Sequence, residues 1–261
     1  MKCDLESSNY SIGVGLFIMV GMIIIYIPQF RKILKYESIY GISGKMVLLG
    51  NVANFFSFAG TFLSDWDRIV CCGEDGVTGV ECADVLISFF QIVGTWILML
   101  IYLHLFLKYM SIEEVKIGIS PEFSEYTKYR YYTKLYIYIM SISGFISLIL
   151  LASYQPENNI IHNLGDVFNI MSAIFCIIQW TPQIYETYKC KGIGSLSLLT
   201  LSMQTPGSFI IFVYQYVINK SRFSVGGPFL VSGVQMLILT CMGFYYEYRY
   251  RREGYFEIAS Y

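Results

Sequence analysis

The chain alternates between long apolar runs and short polar intervals. Seven runs stand out, at roughly 11–33, 45–63, 84–107, 134–154, 163–185, 196–218 and 226–246. Each is close to the ~20 residues an α-helix needs to cross a hydrocarbon layer about 30 Å thick. The pattern predicts an all-α integral membrane protein with seven transmembrane helices. Polar residues inside the runs recur at helical spacing. The fifth run carries Asp166, Asn169, Ser172, Cys176, Gln179 and Gln183 at steps of three or four, hence on one face. The second run carries Asn51, Asn54 and Ser57, the third Ser88, Gln91 and Thr95, and the sixth Thr200, Gln204 and Ser208; Ser232 and Gln235 mark the seventh. Polar groups facing lipid are costly, so these faces turn inward. Any one residue is as well read as interhelical glue, contributing ~1 kcal/mol or less per bond. Stripes on five helices together favour a solute pathway, with Asn51, Asn54, Gln91, Asp166, Asn169, Gln179 and Gln204 as its candidate residues. The matching positions of the first run are mostly apolar (Gly15, Ile18, Met22, Ile25, then Gln29), which predicts an asymmetric site.

Two of the runs end in the same signature. The first reads Tyr26-Ile27-Pro28-Gln29, then Lys35, then Gly41-Ile42-Ser43; the second reads Trp180-Thr181-Pro182-Gln183, then Lys189, then Ser195-Leu196-Ser197. A shift of 154 residues superimposes Pro28 on Pro182, Gln29 on Gln183, Lys35 on Lys189 and Ser43 on Ser197. Such duplication in a membrane-class chain predicts a carrier built from structural repeats. Two parallel triplets need an odd helix between them, which gives two three-helix bundles joined by a linker helix in a 3+1+3 plan. The expected divisions are an N-terminal tail (1–10), a first bundle (11–107), a connector (108–133), a linker helix (134–154), a second bundle (155–246) and a C-terminal tail (247–261). Proline within a helix removes one backbone hydrogen bond and makes a bend or flexible point. Pro28, Gln29, Pro182 and Gln183 are therefore the candidate hinge and gate.

Composition and charge narrow the picture further. Charged residues make up 14% of the chain, hydrophobic residues 55%, and the mean hydropathy is +0.53; soluble domains carry about a quarter charged residues. A net charge of −1 excludes a strongly basic nucleic-acid binder. Fourteen of the eighteen Lys and Arg residues follow runs one, three, five and seven, so the positive-inside rule puts the C-terminus in the cytosol and the N-terminus in a lumen. The interval 64–83 then lies in the lumen, and with the N-terminal tail it brings Cys3, Cys71, Cys72 and Cys82 to a side where disulfides form. The sequons Asn9-Tyr10-Ser11 and Asn219-Lys220-Ser221 agree with this topology. The first run is not a cleavable signal, because its basic residues follow it. His104 sits near the end of the third run and His162 just before the fifth, so neither is a leading candidate for a coupling role. No nucleophile–base pair, metal cluster or phosphate-binding glycine loop points to an enzyme, and no metal or cofactor is implied.

The doubled Pro-Gln, the lysine six residues on and the following Gly/Ser-containing turn resemble the PQ-loop repeat family, which includes cystinosin and the lysosomal cationic amino-acid transporters and is related to the SWEET sugar carriers. The resemblance covers most of the chain and implies alternating access in a seven-helix carrier within the lipid bilayer. It does not fix the substrate, since amino acids, sugars and receptor functions all occur on this architecture; the leading expectation is export of a small amino acid, cationic or zwitterionic, from lysosome or vacuole to cytosol, with protons as the candidate coupling ion. Two positions depart from the cystine-carrying members: Gln204 replaces a coupling aspartate and Gln179 replaces a lysine. That disfavours cystine and leaves Asp166 to couple, or else points to a facilitator of SWEET type using Asn54, Trp96 and Trp180. A further class, the receptor or scaffold, occurs on the related architecture of the KDEL receptor. The tail segment Gly254-Tyr255-Phe256-Glu257-Ile258 looks like a Gly-Tyr-x-x-hydrophobic signal, with Tyr255 and Ile258 as the sorting residues for a cytosolic adaptor and an endolysosomal or vacuolar membrane as the destination.

Overall fold

A computed structural model describes residues 9–73, 77–117, 124–156, 158–194, 196–218 and 223–253. Cys3, Ser195, the sequon at Asn219 and the sorting residues Tyr255 and Ile258 lie outside these. The described chain is helical: α1 (Asn9–Tyr36), α2 (Gly44–Ser64), a short α3 (Trp66–Cys71), α4 (Gly79–Ile117), α5 (Glu125–Ser153), α6 (Asn159–Cys190), α7 (Leu198–Val213) running into a π-helical turn (Tyr214–Ile218), and α8 (Phe223–Glu253).

Six of these helices are long and apolar enough to cross a membrane. The sixth apolar run is the exception to the expected seven. It divides into the 16 residues of α7 and a five-residue π turn, and only together do they approach about 30 Å. The interval 108–133 is also more helical than a connector requires, since α4 extends to Ile117 and α5 begins at Glu125. Glu114 ties these two ends together by accepting from the Ser124 hydroxyl and from the Tyr126 backbone N–H, the latter at 2.8 Å.

The helices close into a ring. α1 packs on α4, α4 on α2, α2 on α6, α6 on α8, α8 on α7, and α7 back on α1. Each triplet thus places its third long helix between its first and second. The two triplets meet along α2–α6 and α1–α7, which are equivalent seams under the 154-residue shift. α5 stands outside, touching α2 and α4, with Tyr136 and Ser147 its buried residues. Its serines are satisfied locally: Ser141, Ser143 and Ser147 each donate to a carbonyl of their own helix. Large apolar side chains such as Ile139, Phe145 and Leu148 face outward, as a lipid-facing surface requires.

Within a bilayer there is little hydrophobic drive between helices, so close approach of small residues does the packing. The α2–α6 seam shows it. A Cβ at Gly165 would lie 2.8 Å from the Ser64 nitrogen and 2.9 Å from the Gly60 oxygen, and one at Gly60 would lie 2.8 Å from the Asn169 nitrogen. The Ser172 hydroxyl donates to the Ala53 carbonyl at 2.9 Å along the same seam. Beyond it, Cys72, the C-cap of α3, is bonded to Cys82 near the start of α4, and Cys71 is also disulfide-bonded. At the α2–α3 junction burial pushes the Asp65 carboxyl above its ordinary 3.8, against the pull of Arg68 at 3.7 Å.

Two expectations follow. Gly165→Ala forces backbone apart and should destabilise the protein by about 1–3 kcal/mol. Gly144→Ala, with open space around it, should be neutral. Thermal melting in detergent checks both. Asp65 binds its proton more tightly folded than unfolded, so its contribution to stability falls as pH rises above about 4. Asp65→Asn should remove that decline, read as a melting temperature that gains on the wild type between pH 4 and pH 7.

Candidate functional site

The signature residues sit where α1 and α6 end. Both helices run through their internal prolines, Pro28 and Pro182, without stopping. They stop eight residues beyond those prolines, where Glu37 (φ 48°) and Lys191 (φ 50°) adopt the left-handed conformation at matched positions of the two repeats. After a short loop, α2 and α7 begin, with Ser43 and Ser197 as N-caps. The N-terminal region of a helix leaves backbone N–H groups unpaired, and inside a membrane protein they must find acceptors.

The acceptors come from the opposite repeat. Gln29 of α1 accepts the Ser197 backbone N–H at 2.7 Å, and Gln183 of α6 accepts the Ser43 backbone N–H at 2.8 Å. Gln183 also donates to the Gly41 carbonyl at 2.9 Å. Both glutamines are at most 2% exposed. Their loops meet backbone to backbone: Gly41 (φ 78°) and Gly194 (φ 50°) both require the left-handed region, and a Cβ at Gly41 would lie 3.0 Å from the Gly194 Cα. The result is a reciprocal latch across the Pro-Gln end of the ring, set on the cluster of Ile33, Ile42, Val47, Phe106 and Leu201.

Behind the latch lies a cavity of about 580 Å³ between the two triplets. Gln29, Tyr102, Trp180 and Leu196 form its latch end, and Phe17, Ser172 and Pro228 lie toward the other. The α1–α7 seam covers it least, since its lining residues Phe17, Ile24 and Ile210 stay exposed. None of the described lining residues bears a carboxylate, ammonium, guanidinium or imidazole. The polar groups are neutral, and three are buried without a partner: Gln179 Oε1, Trp180 Nε1 and Thr200 Oγ1. Together they offer an acceptor, a donor and a hydroxyl that can do either.

The structure divides the sequence-predicted pathway residues. Asn54, Gln179 and Gln204 line the cavity. Asn51, Gln91 and Asn169 do not, because their amides serve the bundle itself. Asn51 donates to the Val47 and Met99 carbonyls, Gln91 to the Gly15 carbonyl at 2.7 Å, and Asn169 to the Ser64 hydroxyl. Asp166 lies six residues beyond Ser172 on α6, about 9 Å along the helix and outside the lining. Trp96 donates to the Tyr136 hydroxyl and stacks on Phe58 rather than reaching the cavity. His104 is exposed near the latch end, and His162 meets the Ser64 carbonyl at the opposite end. Sequence reasoning missed the placement of Thr200 and Tyr102. Thr200 stood in a stripe, but nothing marked which stripe members face the gap between repeats.

Comparison with known proteins agrees with the internal duplication. Residues 10–70 and 164–224 match the PQ loop repeat, so the chain carries this repeat twice, at the offset that separates the two latch glutamines. The chain is similar to an uncharacterized protein of Schizosaccharomyces pombe (strain 972 / ATCC 24843), 22% identical over 267 residues that cover 97% of this chain and 86% of the relative. Among solved structures it is similar to a eukaryotic SWEET transporter, at 13% identity and a TM-score of 0.49, covering 92% of this chain and 99% of that one.

The latch makes a site-resolved expectation. Replacing Gln183 with Leu leaves the Ser43 N–H buried without its acceptor, a loss of about 1–3 kcal/mol. Hydrogen exchange should therefore accelerate in the peptide containing Ser43, with a smaller change around Ser197. Gln29→Leu should give the converse pattern.

Proposed function

We propose that this PQ-loop repeat protein is a carrier that moves a small, uncharged polar solute across its membrane by alternating access. The observation that carries the reading is the neutral cavity between the two repeats, closed at one end by their exchanged glutamine bonds. A site at the interface of two structural repeats is where rocking of one against the other changes access. The α2–α6 seam, packed through glycine, serves as the pivot. The α1–α7 seam and the latch are the parts that open. Pro28 and Pro182 lie one residue before the latch glutamines, so bending there swings the groups that must let go.

The chemistry of the lining sets the solute. A hydroxyl-rich molecule suits Trp180, Thr200 and Gln179, whose free polar atoms cost free energy until something pairs them. Trp180 also provides an apolar face for such a ring. Export of a cationic or zwitterionic amino acid coupled to protons is the second reading. It needs a charge partner, and Asp166 would have to act from beyond the lining. The charge distribution supports placing the latch end in the cytosol. The tail signal around Tyr255 supports an endolysosomal or vacuolar membrane, reached through a cytosolic adaptor.

Flux in proteoliposomes tests the proposal, with labelled hexoses, neutral amino acids and lysine offered with and without a pH gradient. Saturable flux of an uncharged solute, indifferent to the gradient and reduced about tenfold or more by Thr200→Val or Trp180→Ala, is the expected result. Gradient-driven amino-acid flux lost in Asp166→Asn would move the assignment to the second reading. Absence of flux for every solute from well-folded protein would sink the carrier reading and favour a receptor.

A further inference from the structure

The two halves of the latch share a backbone geometry but not a composition. One turn beyond Gln29, the Lys32 ammonium crosses to the second-repeat loop. It donates to the Gly194 carbonyl at 2.7 Å and to the Leu196 carbonyl at 2.9 Å. With the Gln29 bond to the Ser197 nitrogen, α1 holds that loop at three backbone atoms within four residues. The 154-residue shift places Glu186 of α6 at the position corresponding to Lys32. A carboxylate is an acceptor, so it cannot clasp carbonyls in the same way. Gln183 holds the first-repeat loop through its own amide, at the Ser43 nitrogen and the Gly41 carbonyl.

We propose that Lys32 is a gating residue that makes the latch asymmetric, fastening the Gly194 and Leu196 carbonyls to α1 so that this half, the one at the α1–α7 seam, is the tighter. An ammonium is strongly hydrated, and its withdrawal from water is offset here by two charge-assisted bonds to carbonyls. Those carbonyls belong to a loop whose conformation is already restricted by Gly194 at φ 50°. The two loops meet backbone to backbone there, since a Cβ at Gly194 would lie 2.9 Å from the Gly41 Cα of the facing loop. Lys32 must either carry the loop with α1 or release it. Glu247 of α8 is close enough to act electrostatically on Lys32. The asymmetry fits the asymmetry of the seams, since α7, which follows the fastened loop, lines the less covered side of the cavity.

The consequence for transport rests on the carrier reading above, but the contact can be tested without any solute. Cys176 is a free thiol in the cavity lining and serves as a native reporter. The protein, with Cys190→Ser and Cys241→Ser, is placed in sealed vesicles whose outer face is the Pro-Gln end. A membrane-impermeant methanethiosulfonate is added outside, and modification of the Cys176 peptide is followed by mass spectrometry. Lys32→Met should raise the labelling rate about tenfold or more, the change in an opening equilibrium expected from losing both charge-assisted bonds. Lys32→Arg, which can still donate to both carbonyls, should keep it close to wild type, and Glu186→Gln should leave it unchanged. Lys32→Gln, shorter and uncharged, provides the same reading should the methionine variant fold poorly. Wild-type labelling in both neutral variants, at preserved melting temperature, would overturn the proposal. So would an equal rise in Glu186→Gln. A labelling difference without flux of any solute would retain the Lys32 gate and discard the carrier reading.

Discussion

The rest of the structure depends on one constraint: backbone groups at the start of a helix need partners, and within a membrane protein water does not supply enough of them. α2 and α7 start inside the ring, at Ser43 and Ser197. A side chain of the same repeat could have capped each nitrogen. Instead each is met by a glutamine of the opposite repeat. Satisfying the helix starts and joining the repeats become a single interaction, and neither repeat is complete at this end alone. The ring order follows from the same exchange, since α1 must reach the α7 start and α6 the α2 start.

An interaction that is obligatory in one state but carries only a few bonds is a suitable gate. Each exchanged bond is worth about 1 kcal/mol net, while leaving its partner unmet costs about 1–3 kcal/mol. Opening is thus affordable if water enters as the glutamines part, because the N–H groups then trade one acceptor for another. At the α2–α6 seam the Gln183–Ser43 bond is backed by closer packing. Gly60 and Gly165 bring backbone within contact distance, and separating them forfeits packing that water cannot replace. Close glycine packing along α2–α6 and an exposed α1–α7 seam give the ring one stiff side and one soft one.

The fold was largely legible in the sequence because its signals are periodic. Apolar runs of membrane length, a doubled signature at fixed offset and the order of the repeats all report on the backbone. The length of α7 was less legible. The run 196–218 has ordinary hydropathy, and nothing in its composition announces a change to π-helical pairing at Tyr214. The site was legible in part. Spacing says which residues share a helix face, but each helix has two inward directions, one toward a packed neighbour and one toward the gap between repeats. Asn51 and Asn54 show the difference, three residues apart on α2, with Asn51 bonded to the Met99 carbonyl of α4 and Asn54 on the cavity wall. Lys32 escaped notice for another reason. It was counted among charges that set topology, although the alignment that paired the glutamines also set it against Glu186.

That last pairing bears on how a duplicated carrier acquires direction. Two identical repeats related by a pseudo-two-fold would give a latch whose halves release together and a cavity with matched walls. Here the wall contributed by α6 presents Ser172, Cys176 and Gln179, where α1 presents Ile18, Met22 and Ile25 at the corresponding positions. Of this pair of helices the polar wall belongs to α6, and the extra clasp comes from α1. Polar contacts to a solute on α6 and a cationic hold on the loop after α6 would therefore act on the middle and the C-terminal end of one helix. A solute that draws Gln179 toward the cavity pulls on the segment that carries Gln183, the acceptor for the Ser43 N–H, one helical turn away. Under the proposed carrier function, binding and unlatching would be coupled through that turn, by the rigidity of a helix.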